Sequence, residues 1–430
     1  MSDAGAGREG WGPGAGAGAG LPSTSGMRGD TPTPGSSPLS VALVTDCYLP
    51  NMGGIEVQTH DLACNLQAAG HRVVVITATP GPDELDGVRV HRLSLPAGGV
   101  HLPGAHFPVA LSAAGFGQLA RLLDDEGVDV AHFHGGVGSP LAFIGAKHAQ
   151  ADGVPSVVTT HCMWSWATPG FRLLDQRERW TRWPVVFSAV SEVAAEPVRR
   201  VAGPEVDVVV LPNGIDRSAW VVEPAERDPD VFTVVAVMRL AWRKRPLQLV
   251  RILEGVRHRI GPRRRLRAVV VGDGPQAGVM ARAVRARGLG GEVLLAGRRS
   301  REEIRSLYAI ADAFVAPANL ESFGIAALEA RCAGVPVVAK AATGVRGFVE
   351  HGREGLLATS DADLADQLAR LAADEALRAQ MAKHNVDTSP DLDWSAVVPR
   401  NGAAYRRAVE VMADRGPGER RGARWPGRSG

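Results

Sequence analysis

Two glutamates separated by seven residues are the feature of this sequence that most directly suggests chemistry. Glu321 and Glu329 lie in ANLESFGIAALEARCAGVPVVA, the segment from 318 to 339. The pattern predicts a loop that carries Glu321, followed by a helix that carries Glu329 between two apolar strands. A spacing of eight helical residues turns through ~800°, which is near enough to one face for both carboxylates to line a single pocket.

The start of the same helix is predicted to bind a phosphate. The backbone amides of Phe323, Gly324 and Ile325 open the helix, where N–H groups have no intrahelical partner. A phosphate site between two carboxylates suits a sugar nucleotide, because one carboxylate can accept hydrogen bonds from a hexose and the other from a ribose. The structural alternative is that Glu321 interacts with the helix dipole and that Glu329 is a surface charge.

Two cations in VMRLAWRKRP (237–246) suit a diphosphate. Arg239 stands at the end of a predicted strand and Lys244 follows five residues later. A guanidinium clamps phosphate oxygens in a bidentate way, and an ammonium acts as a point charge. The alternative is a solvated loop, and that interpretation fits Arg243 and Arg245 in particular.

A glycine pair opens the first predicted helix. Gly53 and Gly54 stand in PNMGGIEVQ (50–58), after the first predicted strand, where the backbone can approach an anion at a helix N-terminus. A simple turn is the alternative. The motif is not GxGxxG, and the acidic residue expected about 20 residues later is missing, which argues against a nicotinamide dinucleotide.

Histidines and indoles follow two other predicted strands. His132 and His134 in DVAHFHGG point to the same face of a strand, and no third ligand with zinc-like spacing lies nearby, so we predict no metal site. His134 is expected at the edge of a cleft and in contact with substrate. The alternative is a polar residue whose hydrogen bonds are satisfied within the protein.

Trp164 and Trp166 either stack on an acceptor sugar or pack in the core.

The composition is that of a globular protein. Of the 430 residues, 45% are hydrophobic and 22% charged, and the net charge of +2 predicts no nucleic-acid partner. The four cysteines are scattered and form no CxxC pair, which argues against a disulfide framework and favours a cytoplasmic location. No apolar run approaches the ~20 residues of a membrane span, and we predict no signal peptide.

Short apolar runs alternate with helical patterns along most of the chain, which predicts parallel sheets covered on both faces. One series begins with SVALVTD at 40 and a second with FTVVAVM at 232. We therefore predict an α/β protein of two facing, doubly wound, Rossmann-like domains, at 39–214 and 215–393. Ligands of such folds bind at the carboxyl ends of the strands, so the site residues should lie just after strands.

The two ends of the chain are predicted to be disordered tails. Residues 1–38 are dominated by Gly, Ala, Pro and Ser, and residues 414–430 are similar but strongly basic. A solvated tail is preferred there over attraction to nucleic acid or lipid.

Taken together, these motifs resemble those of glycosyltransferase family 4, whose members have the GT-B fold and retain the anomeric configuration of the sugar. ESFGIAALE is similar to the family's signature of two glutamates, and RLAWRK to its Arg and Lys pair. GGIEVQTHDLACNLQAAGHRVVVIT is similar to its N-terminal glycine-rich loop and helix. The resemblance covers about residues 40 to 413, which is all of the chain except its tails.

The resemblance implies a role for each matching residue. Glu321 would contact the donor hexose, Glu329 would hold the nucleotide ribose, and Arg239 with Lys244 would neutralise the diphosphate leaving group. His134 would lie near the donor sugar and the reacting centre. Family members generally need no metal, and no cofactor is implied.

The resemblance also assigns the domains. The first, completed by a terminal helix at about 394–413, would take the acceptor, and the second would bind the donor, a GDP- or UDP-sugar. The sequence departs from the family pattern at Met238, where glycine is usual, and at Arg346 and Gly347, where a Pro-Glu pair is common. The second departure bears on the preference for acceptor or donor sugar.

We therefore expect a retaining, metal-independent hexosyltransferase acting on an unidentified hydroxyl acceptor such as a glycan, a lipid or a small molecule. The alternatives are a nucleotide-sugar epimerase and a non-catalytic sugar-nucleotide sensor; the full set of charged donor-site residues argues against the sensor. The basic runs AWRKRP and GPRRRLR are interpreted as solvated charge, and peripheral contact with an anionic membrane, at its inner face, is the alternative.

Overall fold

The computed structural model describes residues 37–93, 113–136, 139–164 and 167–414. Trp166, for which stacking on an acceptor sugar or core packing was predicted, lies outside these ranges. The predicted disordered tails also lie outside them, apart from residues 37, 38 and 414. Within the described ranges the chain forms two mostly parallel sheets, one after the other in sequence, which confirms the predicted α/β fold class.

The first sheet has eight strands. They are β1 (Ser40–Thr45), β2 (Arg72–Thr77), β3 (Glu84–Leu85), β4 (Val88–Arg92), β5 (Val130–Gly135), β6 (Ser156–Thr160), β7 (Val185–Ala189) and β8 (Val208–Val210). Their order in space is β3-β4-β2-β1-β5-β6-β7-β8, and only the pairing of β3 with β4 is antiparallel among these described strands. Five helices connect them: α1 (Gly54–Ala68), α2 (Ala113–Asp125), α3 (Pro140–Ala151), α4 (Thr168–Glu178) and α5 (Glu192–Ala202).

The second sheet has six parallel strands in the order β11-β10-β9-β12-β13-β14. They are β9 (Val231–Val237), β10 (Arg265–Val271), β11 (Val293–Gly297), β12 (Ala313–Ala316), β13 (Val337–Lys340) and β14 (Gly355–Ala358). The remaining helices are α6 (Pro246–Ile260), α7 (Ala277–Ala286), α8 (Arg301–Ile310), α9 (Ile325–Cys332), α10 (Asp361–Ala373), α11 (Glu375–Asp387) and α12 (Trp394–Ala413).

The sheets form where the sequence has valine-rich runs, because β-branched side chains pack well on a pleated surface that is covered on both faces. In β1 every residue after Ser40 is buried. The first crossover helix stops where predicted, since α1 ends at Ala68 and Gly70 follows with a φ of +90°, a conformation that glycine adopts without steric cost.

Two strands were not predicted. The two-residue β3 is too short to give a pattern, and β14 begins with Gly355, a residue with low strand propensity. Gly355 is needed because a Cβ at this position would lie 2.0 Å from the carbonyl oxygen of Val337 in the neighbouring strand.

The last helix, α12, packs against the first sheet, on β5, β6 and β7. Tyr405 of α12 shares a buried apolar cluster with Val41 and Leu43 of β1. Just before α12, the amide of Ile215 donates to the carbonyl of Leu392 over 2.9 Å, which holds the two connecting segments together. The domain limits at 214 and 393 remain a prediction.

Candidate functional site

The predicted site residues lie at or after the carboxyl ends of strands, where a parallel sheet presents its loops and helix N-termini. Gly53 and Gly54 follow β1, His134 lies at the end of β5, and Arg239 and Lys244 follow β9. The remaining set follows β12 and leads into α9: Glu321, Phe323, Gly324, Ile325 and Glu329.

Lys244 and Glu321 form an ion pair through Nζ and Oε2. Lys244 ends a short 3₁₀ turn after β9, whereas Glu321 lies in the loop after β12, the neighbouring strand. The exposed fraction is 36% for the lysine side chain and 16% for the glutamate side chain. The pair is therefore reachable from solvent, and the ammonium, which has three N–H groups, keeps donors for a further acceptor.

Arg245, the next residue, is not a solvated charge, so that interpretation was wrong. Its guanidinium makes a bidentate contact with Asp361 at 2.8 and 2.7 Å. Lys340 also contacts Asp361, at 2.8 Å. The hydrogen bond from Arg245 and then that from Lys340 lower the pKa of Asp361 to about 2, so this carboxylate is ionised over the whole neutral range.

The helix after Glu321 begins two residues later than predicted. Phe323 is buried with its ring 5.5 Å from that of Phe348, and Gly324 is the N-cap of α9 with a φ of +97°. A side chain at Gly324 would also meet Val345 at 2.7 Å. The amide of Ile325 therefore starts the helix proper, and Phe323 and Gly324 form the turn that leads into it.

The starts of α1 and α9 lie close together. A Cβ placed on Gly54 would lie 3.7 Å from Cδ1 of Ile325, so the glycine loop after β1 approaches the helix that bears Glu329. Two helix N-termini with partial positive charge thus lie near one another, and such positions are suited to an anion.

Glu56, in the first turn of α1, was missed by the sequence reasoning. Its carboxylate folds back over Gly53, where a Cβ would lie 2.3 Å from its Oε2. Burial raises the pKa of Glu56, and the positive charge of Arg239 opposes that rise. Gly53 thus packs closely against the Glu56 carboxylate, and Arg239 lies near enough to α1 to act on this carboxylate.

Three histidines meet at the ends of β5 and β6. Nδ1 of His134 lies 2.9 Å from Nε2 of His161, and the rings of His132 and His134 are 4.0 Å apart. Burial lowers the pKa of all three, to about 3 for His132 and about 4 for His161, so they are neutral at physiological pH. His161 was missed, although TTH at the end of a predicted strand was a signal for it.

The second ring nitrogen of His134, Nε2, is buried and has no hydrogen-bond partner among the described residues. His134 lines a small cavity of about 20 Å³ together with Gln58, Asn213 and the other two histidines. A neutral imidazole with one uncommitted nitrogen can donate or accept a hydrogen bond, but it cannot supply positive charge.

Glu329 has different surroundings from Glu321. Burial raises its pKa to about 7; Arg301 of α8 opposes this rise and Asp61 of α1 adds to it. Arg301 and Asp61 form an ion pair at 3.4 Å between the two halves of the chain. The two glutamates thus belong to separate charge clusters, and Asp61 and Arg301 gave no motif in the sequence.

Trp164 packs in the core. It is 1% exposed, and its ring stacks on Phe171 with a centroid distance of 3.6 Å. Of the two alternatives for this indole, the structure supports core packing.

Two family models match most of the chain between them. The model of Glycosyltransferase Family 4 matches residues 52–219, and that of Glycosyl transferases group 1 matches residues 222–386. These matches confirm the family that the sequence motifs resemble.

Curated relatives match over most of their length. A D-inositol 3-phosphate glycosyltransferase of Actinosynnema mirum is 28% identical over 402 residues, which cover 84% of this chain and 94% of the relative. A GDP-mannose-dependent alpha-(1-6)-phosphatidylinositol monomannoside mannosyltransferase of Mycobacterium tuberculosis is 26% identical, and the match covers 74% of this chain and 84% of the relative.

Solved structures show the same fold. Sucrose-phosphate synthase from Thermosynechococcus elongatus has a TM-score of 0.70 at 22% identity, covering 88% of this chain and 100% of the other. Anabaena Alr3699/HepE in complex with UDP and glucose has a TM-score of 0.68 at 20% identity, covering 86% and 99%. The chain therefore has the two-sheet GT-B architecture.

Proposed function

The chain belongs to glycosyltransferase family 4, and from this premise we propose that it transfers a hexose from a nucleotide diphosphate sugar to a hydroxyl acceptor with retention of configuration. The observation that carries the proposal is the ion pair of Lys244 with Glu321, a cation and a carboxylate held together at the carboxyl edge of the second sheet. Its chemistry fits the bond between a phosphate and a sugar, since one partner attracts phosphate oxygens and the other accepts from hydroxyls.

Each site residue has a role in this proposal. Lys244 and Arg239 stabilise the charge that develops on the diphosphate, and the amide of Ile325 at the start of α9 adds to that stabilisation. Glu321 holds the hexose and Glu329 the ribose. His134, neutral and with Nε2 uncommitted, hydrogen-bonds near the reacting centre.

The proposed reaction needs no assigned general base. The bond between the anomeric carbon and the diphosphate oxygen breaks, and the acceptor oxygen bonds to the same face of that carbon. The acceptor proton passes to the departing diphosphate, so atoms and charges balance. Because two cationic side chains already face the diphosphate in this arrangement, we propose that the reaction is independent of metal.

Relatives guide the choice of acceptor. By name, they act on D-inositol 3-phosphate and on a phosphatidylinositol mannoside, so an inositol phosphate, free or in a lipid, is the first acceptor class to test. UDP- and GDP-sugars are the first donors, because relatives and solved neighbours are named with GDP-mannose and UDP.

The test is a donor screen without added metal, with and without acceptor, following release of nucleoside diphosphate and the anomeric configuration of the product by NMR. Turnover that depends on acceptor and gives a retained product is expected. Conversion of the sugar nucleotide without acceptor would instead indicate an epimerase, and binding without any turnover would indicate a sensor.

We place the reaction in the cytoplasm, at the surface of an anionic membrane. Cys47, Cys64, Cys162 and Cys332 are all unpaired, as expected in a reducing compartment. Among the described residues no helix is long and apolar enough to cross a bilayer, so any membrane contact made by these residues would be a surface contact.

The surface that supports this placement is the outer face of α4, formed by Arg172, Leu173, Leu174 and Arg177. All four are exposed, Leu173 to 68%. Phe171, on the opposite side of α4, is buried and stacks on Trp164, which anchors that side of the helix in the core. Exposed leucines flanked by arginines match a lipid surface with anionic headgroups.

The basic run GPRRRLR is a weaker candidate for that contact. Arg264 donates to the carbonyls of Pro229 and Ala372, and Arg265 pairs with Asp228. Arg264 is thus held by contacts within the chain, whereas the side chain of Arg265 remains 74% exposed, as its interpretation as solvated charge predicts.

A further inference from the structure

Arg245 has an unusual backbone conformation for a residue beside the proposed catalytic lysine. Its φ is +59°, in the left-handed region that side chains other than glycine adopt at a cost. Only Asp86 and Arg179 share such a positive φ among the non-glycine residues that the structure describes. A strained residue persists only where its surroundings hold it in place.

The side chain of Arg245 supplies that hold. Its Nη1 donates to the carbonyl of Pro317 and to Oδ1 of Asn319, both at 3.0 Å, in addition to the bidentate contact with Asp361. The side chain is 19% exposed. Lys340, which is 8% exposed, contacts the same carboxylate of Asp361 and keeps it in position.

These contacts join the two chain segments that bear the Lys244–Glu321 pair. Arg245 follows Lys244 directly, and Asn319 precedes Glu321 by two residues. Asp361, at the start of α10, is the common anchor. The planar guanidinium spans both segments at once, which the single ammonium of a lysine cannot do with the same geometry.

We propose that Arg245, anchored by Asp361, is a positioning residue that sets the geometry of Lys244 and Glu321 for glycosyl transfer, an inference that rests on the proposed function. Arg245 does not contact substrate, because the N–H groups of its guanidinium are directed to Asp361 and to the loop after β12. It acts through the two residues that do. A small misplacement of such groups lowers the rate of the chemical step more than it lowers ground-state binding.

Arg245→Gly tests this inference, since glycine accepts a φ of +59° and only the side-chain contacts are lost. We expect kcat to fall by about 10- to 100-fold, with the donor KM changed less than about threefold. Arg245→Lys keeps the charge but loses the bidentate contacts of the guanidinium, so its kcat should resemble that of Arg245→Gly rather than that of the wild type.

Arg179→Gly is the matched control, because Arg179 also has a positive φ, of +47°, but lies at the end of α4 on the first sheet. It should leave kcat within about twofold of wild type. A kcat for Arg245→Gly within about twofold of wild type, or a fall in thermal stability alone, would overturn the positioning role.

A crystal structure of Arg245→Gly separates this inference from the proposed function. If the wild type turns over no sugar nucleotide, the proposed function fails. The positioning role of Arg245 is then judged only by the position of Glu321 relative to Lys244 in the variant. Displacement of Glu321 from Lys244 in the variant would support it, and an unchanged ion pair would overturn it.

Discussion

The hydroxyl of Ser322 donates a hydrogen bond to the carbonyl oxygen of His161 over 2.6 Å. Ser322 follows Glu321 in the loop after β12, whereas His161 follows β6 of the first sheet. Ser191 donates in turn to the carbonyl of Ser322 over 2.5 Å. The loop that bears the proposed hexose-binding carboxylate is therefore tied to the sheet that bears the histidines.

Ser322→Ala should lower kcat/KM by about fivefold to tenfold. Loss of a hydrogen bond whose acceptor stays part-buried costs about 1 to 1.5 kcal/mol, and here the bond joins the two sides of the site. Steady-state kinetics with a saturating acceptor measures the effect. Ser306→Ala is the control, since the Ser306 hydroxyl donates to Glu302 within its own exposed helix. Equal, small effects of both substitutions would contradict the prediction.

Lys244→Ala should lower kcat by about 30- to 1,000-fold. The lysine is proposed to stabilise charge on the leaving diphosphate, and loss of one such group costs about 2 to 4 kcal/mol. Lys383→Ala removes a lysine that pairs with Asp387 on an exposed helix, and should leave kcat unchanged. Normal turnover by Lys244→Ala would refute the assigned role.

Glu329 is expected to make stability depend on pH. Its pKa is about 7 in the folded protein and about 4.5 when unfolded, so the folded state binds the proton more tightly. The free energy of unfolding therefore falls by up to about 3 kcal/mol as the pH rises from about 4.5 to about 7. In Glu329→Gln, which cannot ionise at this position, that decrease should be absent. Urea denaturation at pH 5.5 and pH 8 measures the difference, with the exposed Glu226→Gln as control.

The same substitution should weaken binding of the donor. The ionised carboxylate accepts hydrogen bonds from ribose hydroxyls, so affinity should rise as the pH passes through about 7. Glu329→Gln should lower affinity by about 10-fold or more at pH 8, as loss of a charged hydrogen bond implies. Calorimetric titration with UDP and GDP measures this. Unchanged affinity would show that Glu329 does not hold the nucleotide.

His132 should remain neutral down to about pH 4, with its proton on Nε2. The Ser188 hydroxyl donates its hydrogen to the carbonyl of Val158, so it can only accept from the Thr159 hydroxyl. Because Thr159 then has no hydrogen left to donate to His132, Nε2–H of His132 must donate to Thr159, at 2.7 Å. Nitrogen NMR of labelled protein measures the tautomer, and an imidazolium at pH 6 would contradict it.

Tyr405 completes that chain by donating to Nδ1 of His132 over 3.0 Å. Tyr405→Phe should therefore destabilise the protein by about 1 to 3 kcal/mol, because Nδ1 of His132 stays buried without its donor. The loss should appear in urea denaturation without a large change in the donor KM.

Leu173→Glu combined with Arg177→Glu should reduce binding to vesicles of phosphatidylglycerol and phosphatidylcholine. The two changes remove an apolar contact and reverse one charge of the α4 outer face, where each arginine contributes about 1 kcal/mol near an anionic surface. Leu294→Glu, on an exposed leucine of the second sheet, is the control. Co-sedimentation at low and high salt measures the effect, and binding equal to wild type would locate the contact elsewhere.

The fold class and the family could be predicted from local pattern. Valine-rich runs and amphipathic segments recur with the period of a parallel α/β protein, and the strands predicted from them form in the structure. Arg239, Lys244, Glu321 and Glu329 could be named because they follow strands, and a parallel sheet collects such residues at one edge.

Local pattern could not show which partner each residue has. Arg245 looked solvated because its acceptors, Asp361 and the loop after β12, lie 72 to 116 residues further along the chain. Trp164 could not be assigned to the core or to an acceptor loop until its stacking on Phe171 was seen.

The sequence by itself therefore determined the helices, the strands and the chemical groups at their ends. These depend on the spacing of apolar residues and on turn residues, which involve only a few neighbouring positions of the chain. Tertiary structure alone decided that Glu321 pairs with Lys244, that Asp61 meets Arg301, and that Ser322 is bonded to His161. The first contact depends on which strands are neighbours in the second sheet, and the other two depend on how the two halves of the chain pack. Packing is set by burial summed over the whole core rather than by any one segment.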